Sequence, residues 1–168
     1  MPEPGSPSWW TAKVRQARAF GRASVSPAER ATLTAWLTPA QLQLFASMLV
    51  ADQRHGLDVA AWLRADGETR PEVLLAALLH DAGKGHAGFW PRVVYSLSQA
   101  YGSWIARLGA TLPGIGSHLP RLVAHAATSA ELAATAGCPP LTVELIRHQD
   151  HAPADETARR FHLADEAN

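Results

Sequence analysis

Apolar and polar positions alternate along this chain with the period of a helix almost everywhere, and no segment shows the strict two-residue alternation of a half-buried strand. "SPAE", residues 26 to 29, has the pattern of a capping box with Pro27 at the first helical position, and "TPAQ", residues 38 to 41, repeats it. The second box predicts a long helix from Ala40 to about Arg64, stopped by the "ADG" that follows. Pro71 opens the next helix, and Gly83 is placed to end it. "FWPRVVYSLSQAYGSWIARLG" predicts one or two helices with a break at Gly102, and "TLPGIGSHLP" is a loop by its Gly and Pro content. "RLVAHAATSAELAATAG" predicts a helix stopped by Gly137. "LTVELIRHQ" predicts another, "HAPAD" a turn, and "ETARRFHLADEAN" a last helix. The expected class is all-α, a single-domain helical bundle.

Four of the predicted apolar stripes are broken or ended by a ligand-type residue. Leu44, Met48, Ala51, His55, Val59 and Trp62 fall at spacings of three or four and share a face. Val73, Ala76 and Ala77 lead to His80, Leu141 and Leu145 lead to His148, and Phe161 leads to Asp165. A single histidine on an apolar face is ordinarily a core residue bonded to a carbonyl. Four stripes interrupted by imidazole or carboxylate point instead to a shared metal, because these are the groups that divalent ions take. Helical bundles build such sites from inward-facing residues on neighbouring helices. The strongest signal is "VLLAALLHDAGKG", residues 73 to 85. Seven apolar residues run directly into His80 and Asp81, and burying either of these unpartnered is costly.

Composition narrows the setting. The chain has 168 residues, enough for one well-buried domain, and 47% are hydrophobic. Lys plus Arg number 15 and Asp plus Glu 15, so no basic field attracts nucleic acid. The one cysteine, Cys138, excludes an internal disulfide and shows no activating neighbour. No apolar run reaches the length of a membrane span, and the first residues lack the apolar middle of a secretory signal. A cytoplasmic protein is expected. Residues 1–39 read as an N-terminal extension, disordered over 1–7 and then a short basic amphipathic piece and helices. Its Arg15, Arg18 and Arg22 read as a solvated face.

The "HDAGKG" segment resembles the signature of the HD-domain superfamily of metal-dependent phosphohydrolases, in the HDxGK variant shared with its HD-GYP relatives. That family carries an upstream His, the His-Asp pair, optional further His residues and a distal Asp. His55 in "DQRHGLDVA" matches the first and Asp165 in "FHLADEAN" the last. His125 in "HAATSAELAATAG" and His148 in "VELIRHQD" resemble the extra ligands of dinuclear members. Gln149 stands where those relatives carry a second adjacent His, and no GYP follows, which argues against a standard cyclic-di-GMP phosphodiesterase. The resemblance covers about Leu42 to Asn168, making residues 40–168 the HD-type domain.

The resemblance implies metal ligands His55, His80, Asp81, His125, His148 and Asp165, and two divalent transition-metal ions (Fe, Mn, Co, Ni or Zn) bridged by Asp81. It implies a metal-activated water acting on a small phosphorylated substrate, an ester or anhydride that could be nucleotide-like. Lys84, three residues after Asp81, is placed to offset charge on a phosphoryl oxygen; the plainer reading is a helix-end lysine. His162 could orient Asp165, while His86, His118 and His151 lie in loop-like sequence. Trp9, Trp10, Trp36, Trp62, Trp90 and Trp104 read mostly as core or interface, and Phe89 with Trp90 could border the pocket. A di-iron oxygenase of the same type and a non-catalytic nucleotide-binding regulatory module are the alternatives.

Overall fold

Two capping boxes start successive helices as the sequence predicts. In this computed structural model, which describes residues 6, 10, 11, 21–153 and 155–168, Ser26 accepts from the Glu29 backbone and Glu29 accepts in return, starting α1, Pro27–Thr34. Thr38 and Gln41 repeat the arrangement at α2, Pro39–Ser47. There follow α3 (Val50–Ala65), α4 (Pro71–Leu79), a 3-10 turn (Ala82–Lys84), α5 (Phe89–Tyr101) and α6 (Trp104–Gly109). Then come α7 (Leu119–Val123), α8 (His125–Thr135), α9 (Pro140–Arg147) and α10 (Glu156–Ala167). The described residues contain no strand, and the chain forms one all-α domain. The disordered lead expected over residues 1–7, with Arg15 and Arg18, lies outside the described residues, apart from Ser6. No described helix is long and apolar enough to cross a membrane.

The helix predicted from Ala40 to Arg64 is two helices. Met48 turns extended (ψ 155°) between them. The break is stabilised by Gln53, whose buried side-chain amide donates to Met48 O at 2.8 Å and so satisfies a carbonyl orphaned by the helix end. Bending there lets Phe45 and Met48 both reach the core. A second split falls at Ala124, which separates α7 from α8 within one predicted helix.

The centre of the fold is α4. Every residue from Val73 to Leu79 is buried, as expected for a helix apolar all round. α3 crosses one side of it, α9 and α10 pack on others, and α8 lies across the 3-10 turn that follows it. Leu33 and Leu37, from the first forty residues, join the same core as Phe45, Leu63, Ile146 and Phe161. Thr142 of α9 donates its hydroxyl to Glu72 O at 2.8 Å, tying the start of α9 to that of α4.

The α3–α4 crossing depends on one glycine. A Cβ on Gly56 would lie 2.8 Å from Leu78 O and 3.0 Å from Ala77 O, too close for any real side chain. Gly56, one residue after His55, thus lets the two backbones approach at Leu78, two residues before His80.

Candidate metal centre

The packing of α3, α4 and α10 decides which polar side chains meet. His55 is carried on α3 beside the Gly56 contact, and its ring lies edge-on to His80 with centroids 5.1 Å apart. His80 caps α4 and Asp81 follows it at the entrance to the 3-10 turn. Asp165 comes from α10, which is pinned against α4 by buried Phe161 and Ala164. One ligand atom from each of His55, His80 and Asp165 lies within 4.8 Å of the others. Asp81 Oδ1 is 3.5 Å from His80 Nε2. Four of the six residues named from the sequence therefore stand together.

Their hydrogen bonds leave one polar atom each of His80 and Asp81 without a partner among the described residues. His80 is 1% exposed and Asp81 2%, so bulk solvent does not reach them. The His80 Nδ1–H donates to Ala77 O at 2.9 Å, which fixes the tautomer and leaves Nε2 for something else. Nε2 is 3.2 Å from Asp165 Oδ1 but outside hydrogen-bond geometry. It and Asp81 Oδ1 are buried without a hydrogen-bond partner among the described residues. Orphaned buried polar atoms are rare in folded proteins and call for an explanation. Two of them on adjacent residues, with two further ligand groups beside them, match the donor set a divalent ion takes. The residues present fit such an ion.

Electrostatics agree with a site built for positive charge. Burial alone pushes Asp81 up, yet Lys84, His80 and His55 outweigh it and hold its carboxyl well below the usual range. Asp165 behaves likewise, with burial overcome by His80 and by the hydrogen bond from His55, whose Nε2–H donates at 2.8 Å. Burial pushes His80 down, but the Asp81 and Asp165 charges raise it to about 9.

Lys84 closes one side. The chain leaves α4 through the 3-10 turn instead of continuing as α-helix, and Lys84 Nζ returns to donate to Asp81 Oδ2 at 2.6 Å. Burial lowers its pKa, but Asp81 and, more distantly, Asp52 carry it above the ordinary value, so it stays charged. Gly83 makes the turn possible: its N–H donates to Ser129 Oγ at 2.8 Å, and a Cβ there would strike the His125 carbonyl.

The remaining named residues lie differently. His125 is buried at the start of α8, with Nδ1–H donating to Leu122 O at 2.8 Å and Nε2 left over. Burial first, and then the Lys84 charge, lower its pKa, so it is neutral. His148 caps α9 on the surface, its ring 5.5 Å from that of His151, and it is not in the cluster. Its neighbour Gln149 is the buried one, donating through Nε2 to His80 O at 3.0 Å. The Gln149 side chain thus braces the backbone at His80. His162 pairs with Glu166 at 3.1 Å, leaving Asp165 to His55. Trp90 and Trp104 are exposed, whereas Trp36 and Trp62 pack against the core.

Sequence reasoning passed over Gly56 and Asp52, and read Gln149 only as a departure from the second adjacent histidine, not as a buried brace. Asp52 holds Arg92 through two bonds of 2.6 and 2.7 Å, and Arg92 also donates to Ala87 O, fixing the loop after the site. Asp52 stands three residues before His55, a spacing that hints at a shared helix face. Gly56 and Gln149 carry no sequence signal of their own. Comparison with protein-family models, with curated proteins and with solved structures finds no match for this chain.

Proposed function

We propose that the chain is a metal-dependent phosphohydrolase of the HD-domain type, with a divalent ion held by His55, His80, Asp81 and Asp165. The observation that carries this reading is the pair of fully buried, unpartnered atoms, His80 Nε2 and Asp81 Oδ1, beside His55 and Asp165. When bound, the ion supplies a water acidified near neutral pH and neutralises charge on phosphoryl oxygens. His80 is held in the metal-ready tautomer by Ala77 O, and α4 gives it a rigid mount. Asp81 and Asp165 contribute the negative charge that favours a dication over a neutral ligand. Lys84, held by Asp81, would offer an ammonium to charge developing on a phosphoryl oxygen. Neutral His125, next to the same turn, has Nε2 available to accept from a substrate hydroxyl.

A mixed nitrogen and oxygen set suits Fe, Mn, Co, Ni or Zn. The two-ion arrangement expected from the sequence relies on His148, which stands on the surface; the four clustered residues support one ion. Phosphate release from a panel of phosphate esters and anhydrides, measured with each metal in turn, tests the reading. Metal-dependent release that Lys84→Gln lowers by about 100-fold or more is the expected result. Oxygen uptake with iron, and no phosphate release with any metal, would transfer the site to the oxygenase class.

A further inference from the structure

Three cationic side chains border the loop from Gly83 to Ala87, and two are held by carboxylates. Lys84 is bound to Asp81. Arg92 spends both terminal nitrogens on Asp52 and its Nε on Ala87 O. Arg121 of α7 spends only Nε, which donates to Gly83 O at 3.2 Å. Its Nη1 and Nη2 have no partner among the described residues, and no carboxylate there pairs with it.

The side chain is nevertheless held in place. A Cβ on residue 85 would sit 2.8 Å from both Arg121 Cζ and Nε, so the guanidinium packs against the backbone of Gly85. Gly85 has φ +58°, a conformation that side chains rarely adopt, and here glycine serves both the turn and the close approach. An arginine anchored through Nε and resting against backbone presents its outer pair of N–H groups as a ready fork, the geometry that matches phosphate oxygens. Gly83 O, where it is anchored, is two residues beyond Asp81, and the intervening turn is tight because Lys84 N–H donates to Asp81 O at 3.0 Å. The arginine is therefore anchored one tight turn along the chain from Asp81, beside the ligand cluster and not within it.

We infer that Arg121 anchors an anion subsite flanking the metal centre, which takes the second phosphate of a diphosphate or longer phosphate chain. The inference rests on the phosphohydrolase reading above for the place of the first phosphate. Arg121 is a specificity-determining contact and holds no metal.

Inorganic pyrophosphate and inorganic phosphate are titrated calorimetrically into the full-length, Mn²⁺-reconstituted chain, its Arg121→Gln variant and its Arg121→Lys variant. Bound metal is measured on each sample before and after. Wild type is expected to bind pyrophosphate about 10-fold or more tightly than phosphate. Arg121→Gln should erase that preference with metal content unchanged, and Arg121→Lys, which keeps charge but not the fork, should recover only part of it. An unaltered preference in Arg121→Gln, or none in wild type, overturns the subsite. Absence of bound metal in wild type would defeat the hydrolase reading alone, since loss of pyrophosphate binding in Arg121→Gln still reports on the arginine.

Discussion

The C-terminal ends of α4 and α9 look alike in sequence and are unlike in space. Each is an apolar stripe that runs into histidine and a second polar residue, His80-Asp81 in one and His148-Gln149 in the other. At α4 both polar residues are buried and face the cluster. At α9 the histidine is on the surface and the glutamine turns inward to brace His80 O. The cause is the surroundings of each helix. α4 is enclosed by α3, α9 and α10, so whatever ends it is buried, whereas α9 lies at the edge and only one side of its last turn faces the core. A stripe that ends in a ligand-type residue thus predicts a site only when the helix carrying it is enclosed.

The variants that break this contrast most strongly act at α4. Asp81→Ala should abolish metal-dependent phosphate release to background, because it removes a buried charge that nothing else replaces. Gly56→Ala comes next. It forces a methyl against Leu78 O, should cost about 1–3 kcal/mol in denaturant unfolding, and should weaken metal binding by separating His55 from His80. Retention of wild-type stability and metal affinity in Gly56→Ala would mean that the crossing does not position the site.

Gln149→Ala tests the brace. It removes the bond to His80 O and leaves that carbonyl buried, at a cost of about 1–3 kcal/mol, with metal affinity falling in the same direction. Glu68, in the entry to α4, sharpens the contrast through pH. The hydrogen bond from Arg70 leads the causes that lower its carboxyl from 4.5 to about 2. A lowered folded-state pKa contributes stability that is complete above pH 4.5 and lost as pH falls toward 2. With the exposed Arg70 screened by solvent, the contribution is on the order of 1 kcal/mol. The stability gap between wild type and Glu68→Gln should therefore narrow between pH 4.5 and pH 2. The smallest effect is expected at His148→Ala, within about 0.5 kcal/mol of wild type and without change in metal content.

The helical class and both capping boxes were legible in the sequence because they depend on neighbours three or four residues apart, whereas α4 ends at Leu79, before the stop expected at Gly83. So were His55, His80, Asp81 and Asp165, through the stripes they interrupt and the resemblance of "HDAGKG". What was not legible depends on packing between distant segments. The bend at Met48 is held by Gln53 and by the core that Phe45 enters. The close approach at Gly56 needs α4 opposite, and the inward turn of Gln149 needs α9 to lie at an edge. His148 and Gln149 are adjacent letters, and only the placement of α9 separates their fates.

The most direct test of the account is the metal content of the full-length chain, reconstituted with each candidate ion and freed of excess. The cluster of His55, His80 and Asp165, with Asp81 beside it, predicts one tightly held divalent ion per chain. A chain that retains none would contradict the account and leave His80 and Asp81 as buried polar residues in need of another partner.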